Sequence, residues 1–203
     1  QKSMVHQVAG LASSLRVMVA DTRLQQALEA RDRERLLADW QEVFHTLQQT
    51  NTITHLYFFD ADRTCLLRVH HPEKYGDRIE RFTARSAEAT GQLTHGVELG
   101  PLSTFTLRVV QPVFVAGQRI GYVELGREIE DVLSGLHSRE GDEAGVFIQK
   151  RHLQRERFEA GMQRLQRPAD WHQLAEYAQI YVSSPWLAEV FAQLNASNFS
   201  PSS

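Results

Sequence analysis

The chain has one cysteine among 203 residues, so no disulfide can form within it. This residue, Cys65, lies in the run Thr64-Cys65-Leu66-Leu67, where a free thiol behaves as a small buried hydrophobe. Its sequence neighbours include no obvious base, so a catalytic thiol is not indicated. Cysteine usage therefore does not distinguish a reducing from an oxidising compartment.

An excess of one charge and a long apolar run are also missing. The 22 basic and 25 acidic residues leave a formal net charge of −3, which argues against a broad nucleic-acid surface because such a surface needs a basic face. No run approaches the roughly 20 apolar residues that span a bilayer. The chain starts at Gln1 without an initiator Met or a signal-like segment, which suggests an excised fragment. We therefore expect membrane contact only through flanking helices outside this sequence.

The common catalytic and metal-binding motifs do not occur: no HExxH, CxxC, EF-hand or GxSxG spacing is present. His70 and His71 are adjacent, so on a strand they would point to opposite faces and make a poor metal pair. The sequence thus predicts no catalytic residue, no metal and no cofactor.

The first 30 residues predict a helix with an apolar seam. A seam with this spacing is typical of a helix that pairs with another helix, although a helix lying on its own sheet gives the same pattern over so short a run. The register is lost at 20–23, where Asp21 or Thr22 could cap a new helix. The seam consists of Met4, Val8, Leu11, Leu15 and Met18.

Asp32 is a second candidate N-cap, ahead of a strongly amphipathic helix that ends in the polar stretch 48–52. The apolar period then changes from 3.6 to 2, which indicates strands. Gly91 is a candidate helix C-cap, and Pro112 marks a strand edge or a bulge. The predicted elements are strands Ile53–Phe59 and Thr64–Val69, helix Phe82–Thr90, strand Gly96–Leu99, and a hairpin of Thr104–Val115 and Gln118–Gly126 around Ala116-Gly117.

After the hairpin the pattern predicts a helix and then a restart of alternating strands and helices beyond Gly141. The tail Asn195–Ser203 is rich in Ser and Asn and is expected to be frayed. The predicted elements here are helix Glu128–His137, strand Ala144–Gln149, helix Glu156–Gln166, strand Tyr177–Ser183 and helix Pro185–Leu194.

The order of long helix, strand pair, linking segment with a short helix, and hairpin resembles that of Cache (PAS-like) extracytoplasmic sensor domains. The similarity is closest to the double Cache class of bacterial transmembrane receptors, which includes chemoreceptors, sensor histidine kinases and diguanylate cyclases. It covers the first module from about Arg31 to Leu133 and the second only in part. The similar strings are LLRVHHPEKYGD, GVELG, TLRVVQPVFVAGQRIGYVELG, AGVFIQK, RPADWHQL and YVSS.

The resemblance implies an α+β fold, with a long N-terminal helical region packed on a PAS-like antiparallel sheet and followed by a partial second, smaller α/β module. The expected boundaries are 1–30 for the helix and possible dimer seam, 31–140 for the membrane-distal ligand-binding module, and 141–203 for the partial second module. It also implies a periplasmic, non-catalytic sensor domain that forms a homodimer through its first helix.

Two departures from the family pattern stand out. The chain ends after Ser203, where the second module usually continues into its own β-hairpin. The residue set that amino-acid-sensing Cache domains use for an α-amino carboxylate is not found, so that ligand is not supported.

Polar side chains on buried strands are the candidate ligand contacts. Arg68 and His70 share a face of their strand by parity, and Tyr57 lies on the neighbouring strand. A guanidinium beside an imidazole and a phenol suits a carboxylate through charge-assisted hydrogen bonds. The alternative is that Arg68 pairs with Glu98 or Asp77 as an internal brace.

Arg108 lies in the middle of a strand, where a charge is costly unless it is paired or ligand-bound. It either faces solvent, pairs with Glu98 or Glu124, or binds an anion. Arg81 and Arg85, one helical turn apart, could close the pocket or form a solvated face. The predicted ligand-binding set is Tyr57, Arg68, His70, Tyr75, Glu98, Arg108, Gln111 and Tyr122, in which the tyrosines and the glutamine are also compatible with ordinary packing.

The leading hypothesis is a receptor sensor domain that binds a small organic anion. One alternative is a soluble enzyme with acid–base residues among Glu98, His70 and Glu124, which predicts a carboxylate–histidine hydrogen bond. Another is a dimerising interaction module that binds no ligand.

Overall fold

The computed structural model describes residues 4–100, 105–134 and 143–198, and these residues divide into two compact units. The first unit consists of Lys2–Glu98 and Thr106–Val132, and the second mainly of Leu133–Ser203 with Leu99–Phe105. Each unit has its own hydrophobic core. None of the helices in the described ranges is both long and apolar enough to cross a membrane.

Three helices open the first unit, and two of their starts were predicted. Helix α1 is Met4–Val19, α2 is Thr22–Glu29 and α3 is Arg33–Asn51. The Asp21 carboxylate accepts from the backbone N of Arg23 at 2.8 Å, and that of Asp32 from the backbone N of Arg35 at 3.0 Å. Both predicted N-caps are confirmed, because each satisfies a backbone donor that the helix leaves open.

The apolar seam of α1 is largely used inside the first unit. Leu11, Leu15 and Met18 are buried there, as expected for a helix that lies on its own domain. Val5 and Val17, on the outer side, are 74% and 75% exposed. Pairing of α1 with a second helix stays a prediction.

The first unit contains a five-stranded antiparallel sheet in the order β2-β1-β5-β4-β3. Helix α4, Phe82–Thr90, ends where Gly91 takes the left-handed conformation, as predicted. Helix α5, Ile129–Ser134, follows the last strand, and the predicted continuation to His137 lies outside the described residues. The strands are β1 His55–Asp60, β2 Cys65–Arg68, β3 Thr94–Leu99, β4 Phe105–Val115 and β5 Gln118–Glu128.

The long β4–β5 hairpin is confirmed. Its turn residues Ala116 and Gly117 have φ values of 48° and 82°, as two-residue turns of twisted hairpins require. The register shifts between Val113 and Phe114, next to Pro112. Since β4 lies between β5 and β3, the bulge, and not the edge, accounts for this proline.

Helices cover one face of the sheet at close range. On this face a Cβ added to Gly121 would lie 2.3 Å from the carbonyl oxygen of Phe59 and 3.0 Å from Leu28 Cδ2 of α2. Trp40 of α3 packs on Phe58, with ring centroids 6.2 Å apart. The opposite face carries the polar residues, beneath α4.

That opposite face also has an apolar part, in which Cys65 packs against α4. The buried members are Tyr57, Phe59, Cys65, Ile79, Ala84, Ala87, Val110 and Tyr122. Burial raises the pKa of the Cys65 thiol to about 12, so the thiol stays protonated and behaves as the small hydrophobe that was predicted.

The second unit combines a two-stranded antiparallel sheet with two helices. Strand β6 is Gly145–Gln149 and β7 is Tyr177–Val182, and they flank α6, Arg155–Arg164. Helix α7, Pro185–Asn198, continues four residues beyond its predicted end. The expectation of a frayed tail from Asn195 is therefore wrong up to Asn198, and 199–203 lie outside the described residues.

Candidate ligand-binding site

Four side chains form a row across the face of the first sheet that lies under α4. The strand register sets Tyr57 opposite Arg68 of β2 and opposite Glu124 of β5, and Glu124 opposite Val110 of β4. Residues directly opposite each other in antiparallel strands project to the same face. Strand pairing therefore places a phenol between a guanidinium and a carboxylate.

Glu124 anchors a buried triad of charges on this face. Arg81, just before α4, places Nη2 at 2.8 and 2.6 Å from the two carboxylate oxygens, and Arg108 Nη1 lies 2.5 Å from one of them. The side chains of Arg108 and Glu124 are 1% and 0% exposed. Both guanidinium groups lie over the Tyr57 ring, with Cζ at 4.9 and 5.7 Å from its centroid.

The pairing favours the charged forms of Glu124 and Arg108. Burial disfavours the charged form of Glu124, but the guanidinium groups of Arg81 and Arg108 outweigh it and lower the pKa of this carboxyl. Burial also disfavours charge on Arg108, yet the adjacent Glu124 raises the pKa of the guanidinium. Two cations share this carboxylate, and the neighbouring Glu98 balances the positive charge that remains.

Glu98 borders the triad without joining it. Its carboxylate accepts from the backbone N of Thr83 at 2.8 Å and from the Thr83 hydroxyl at 2.9 Å, at the start of α4. Its Oε2 is 3.8 Å from Arg81 Nε and 3.9 Å from Arg108 Nε, which is too long for a hydrogen bond. Glu98 therefore partly offsets the positive charge while both Nε–H groups remain available.

Four buried polar atoms of this site have no hydrogen-bond partner within the described part of the chain: Arg81 Nε, Arg108 Nε, Thr106 Oγ1 and the Tyr122 hydroxyl. Thr106 is two residues from Arg108 on β4, and Tyr122 is two residues from Glu124 on β5, so the strand residues share one face. Burial raises the pKa of Tyr122, which keeps its hydroxyl as a donor. Most buried polar groups in folded proteins are paired, so these four atoms are candidates for contacts with a ligand or with water.

Arg68 makes the internal brace that was the alternative to ligand binding, and its partner is Asp77. The Arg68 Nη1 and Nη2 atoms lie 2.8 and 2.7 Å from the two Asp77 carboxylate oxygens, and Nη1 also donates to the carbonyl of Lys74 at 2.7 Å. These bonds from Arg68 lower the pKa of Asp77. They hold the segment 71–81, here called the cap segment, against the edge of the sheet.

His70 lies beside Tyr57 at the edge of this face. Its Nδ1 accepts from the backbone N of Leu56 at 3.4 Å. The ring meets those of His55 and Tyr57 edge-on, with centroids 4.6 and 4.8 Å apart. His70 thereby supports one side of the Tyr57 ring.

Two residues of the predicted set lie away from this cluster. Tyr75 is 58% exposed and packs under the Arg33 guanidinium, 4.2 Å from Cζ to the ring centroid. Gln111 is three residues from Arg108 on the same strand, so it projects from the opposite face, and its Nε2 donates to the carbonyl of Pro112. Tyr75 follows the path of a loop and Gln111 lies on the other face of its strand, so a ligand role for either stays a prediction separate from the Glu124 cluster.

Arg81 and Glu124 were considered from the sequence but were left out of the predicted set. The charge of Arg108 in mid-strand required a partner, and Glu124 was one of the two candidates. The sequence left two alternatives for Arg81 and Arg85, closing over the sheet or forming a solvated face. Arg81 closes over this face of the sheet, whereas Arg85 is solvent-exposed. Tyr57, Arg108 and Tyr122 of the predicted set meet at this face, with Glu98, Arg68 and His70 around them.

Residues 1–190 match the family model described as the double sensory domain of two-component sensor kinase, dCache_3. The match includes the N-terminal helices and most of the second unit, beyond the range covered by the resemblance. No curated protein matches this chain significantly. The matching family and the similar structures are sensor domains and not enzymes.

Solved sensor domains share the fold. The Escherichia coli DcuS sensor domain is 16% identical, with a TM-score of 0.56, over 65% of this chain and 96% of that one. The sensor domain of the Vibrio cholerae histidine kinase DctB is 14% identical, with a TM-score of 0.58, over 72% of this chain and 57% of that one. The predicted α+β Cache fold is thus confirmed.

Proposed function

This chain belongs to the double sensory domain family of two-component sensor kinases, and from that premise we propose that it is the periplasmic ligand-binding domain of a transmembrane receptor. Its ligand is a small organic anion, of the carboxylate class, bound under α4 beside Arg81, Arg108 and Glu124. Binding shifts the first unit between two conformations, and membrane helices outside this sequence transmit the shift. The signalling unit is a homodimer that pairs through α1.

The observation that carries this proposal is the group of unpartnered polar atoms on one face. The Nε atoms of Arg81 and Arg108 are both within 3.9 Å of the same Glu98 oxygen. A ligand oxygen that displaces Glu98 Oε2 from that position can accept from both guanidinium groups. The hydroxyls of Thr106 and Tyr122 cannot both meet that ligand, because Tyr122 pairs with Pro112, six residues or about 20 Å from Thr106 along β4; at most one of them contacts it.

Hydrogen-bond donors, rather than excess charge, favour an anion in this position. Arg81 and Arg108 balance the charges of Glu98 and Glu124, but Glu98 lies beyond hydrogen-bond distance of both Nε atoms. A ligand carboxylate that bonds directly to both Nε–H groups gains more than the longer contact with Glu98 provides.

The two alternative functions have less support. An acid–base enzyme would need a free carboxylate, but Glu124 is held by two arginines that lower its pKa. A module without a ligand would have no use for several unpartnered polar groups in its interior, because each costs about 1–3 kcal/mol.

Removal of the unpartnered hydroxyls gives the sharpest test. Tyr122→Phe and Thr106→Val each delete a buried oxygen without a partner, so we expect the melting temperature of the unliganded protein to stay the same or rise. A panel of acetate, lactate, succinate and citrate, with acetamide and methylamine for comparison, is screened by thermal shift. A bound carboxylate at 100 times its Kd stabilises by about 2.7 kcal/mol, and the variant whose hydroxyl contacts the ligand should reduce this effect.

Arg108→Met should abolish the shift while the protein stays folded, since Arg81 still pairs with Glu124. Arg85→Gln is the matched control, because Arg85 is exposed one turn further along α4. If Arg108→Met retains the full carboxylate shift, the proposed site is wrong. If no carboxylate stabilises the wild-type chain, the proposed ligand class is wrong.

A further inference from the structure

The second unit contains a cavity of about 610 Å³ that uses no residue of the first unit. Its walls are the segment 167–173 after α6, strand β7, and the start of α7. Small-molecule sites span about 300–1,000 Å³, so the cavity has the size of a ligand site. We propose that it binds a small organic ammonium ion as a second ligand of this chain.

Strand β7 makes a stable wall for this cavity. Ala178 and Ile180 are 0% and 2% exposed and pack on Phe158 of α6. Gln179 and Tyr181 alternate with them, so they project to the other face, where both line the cavity. The wall is therefore held from behind by the core and does not need a ligand to form.

Two atoms in the lining are buried acceptors without partners. Gln179 Oε1 and Ser184 Oγ have no hydrogen-bond partner in the ranges that the structure describes. An amide oxygen only accepts, and a hydroxyl can accept as well as donate. An ammonium group brings three donors and no acceptor, so it complements this pair.

The charge of the lining has the sign that a cation requires. Asp170 and Glu189 contribute two carboxylates and Arg167 one guanidinium, and neither carboxylate has an ion-pair partner among residues 143–198. The start of α7 is its positive end, which alone would favour an anion. Glu189, one turn into α7, offsets that end, so the lining stays negative overall.

The test is a titration of the whole 203-residue chain with n-butylammonium, n-butanol and butyrate, followed by ¹H–¹⁵N NMR. We expect n-butylammonium to shift the side-chain amide of Gln179 and the backbone amide of Ser184 in a saturable way. The neutral and anionic probes should bind at least tenfold more weakly. Equal affinity for all three probes, or no saturation with the ammonium, would overturn the proposal.

Gln179→Leu separates recognition from folding. It removes the unpartnered oxygen, so the melting temperature should stay the same or rise, while the affinity for n-butylammonium should fall at least tenfold. Glu189→Gln should weaken binding by about three- to tenfold and flatten its salt dependence. Glu156→Gln, an exposed acid on α6 outside the cavity lining, is the control and should change neither.

A variant of the first unit keeps the two sites distinguishable. Arg108→Met removes a residue of the carboxylate site and should leave the n-butylammonium titration unchanged. If Arg108→Met abolishes the ammonium response, or if Gln179→Leu retains it, the ammonium site in the second unit is refuted whatever the carboxylate screen shows.

Discussion

At the scale of the single residue, Glu124 determines whether Arg108 can remain buried. Removal of one partner from a buried ion pair costs about 3–5 kcal/mol, because an uncompensated charge stays in the interior. We therefore expect Glu124→Gln to lower the free energy of unfolding by that amount in chemical denaturation. Glu29→Gln, an exposed acid on α2, should change it by less than about 0.5 kcal/mol. If Glu124→Gln lowers the free energy of unfolding no more than Glu29→Gln does, the triad contributes little to stability.

The pH dependence of stability follows from the same carboxyl. The pKa of Glu124 is lowered in the folded state from its usual 4.5, so its contribution is fully present above that pH. It is lost as the pH falls through the lowered folded pKa. The wild-type melting temperature should therefore decrease more steeply below pH 4.5 than that of Glu124→Gln. Parallel curves would contradict this assignment.

At this scale the sequence shows which residues of a strand share a face and which buried charge needs a partner. It does not show how neighbouring strands are aligned with one another. Arg108 and Gln111 are an odd number of positions apart, so the alternation of a strand already separates them. Glu124 lies beside Tyr57 only because β1 and β5 pair in one particular register, and a shift by one residue would reverse the faces. The sequence gives candidates for such a register without selecting one.

At the scale of the element, replacing either of two glycines by alanine should change the free energy of unfolding in opposite directions. Gly121→Ala places a Cβ 2.3 Å from the Phe59 carbonyl oxygen, so β1 or β5 must move, and we expect a loss of about 1–3 kcal/mol. Gly10→Ala on α1 meets no atom within 4 Å and should gain about 0.5–1 kcal/mol from helix propensity. Urea denaturation of both variants checks the pair, and a stable Gly121→Ala protein would disprove the close approach.

The cap segment should loosen when its brace is weakened. Gly76 N donates to the carbonyl of Cys65, and Ile79 N to the carbonyl of Arg63. Asp77→Asn weakens the Arg68 pair, whose carboxylate is 56% exposed, so we expect at most about 1 kcal/mol, or fivefold faster amide exchange. Hydrogen exchange at Gly76 and Ile79 measures the effect, with Asp62→Asn in the β1–β2 turn as the control. Unchanged exchange would mean that the backbone bonds alone hold the segment.

The helices and strands themselves were largely predictable, because capping residues mark the ends of the helices. Asp21, Asp32 and Gly91 each end or begin a helix where their side chains or backbone require it. The cap segment was not predictable: its path depends on ties to Arg68 and to the backbone of β2, which come from tertiary contacts.

At the scale of the whole molecule, the proposed dimer should depend on the outer face of α1. Val17 is 75% exposed, so Val17→Glu should leave the melting temperature of the dilute protein nearly unchanged. It should weaken dimerisation at least tenfold in sedimentation equilibrium, because it introduces a charge into an apolar contact. Gln48→Glu adds the same charge on an exposed position of α3 and is the control. A chain that stays monomeric at all concentrations, or a dimer insensitive to Val17→Glu, would rule out this surface.

The Glu124 carboxylate, which Arg81 and Arg108 share, also fixes the conformations of both arginine side chains. A flexible arginine normally loses about 2 kcal/mol of rotamer entropy when a guest immobilises it, whereas Arg81 and Arg108 are already fixed by Glu124 when the chain folds. A small ligand can therefore bind without first having to immobilise these two arginine side chains. In the proposed site, this preorganisation lowers the entropic cost of binding a small ligand.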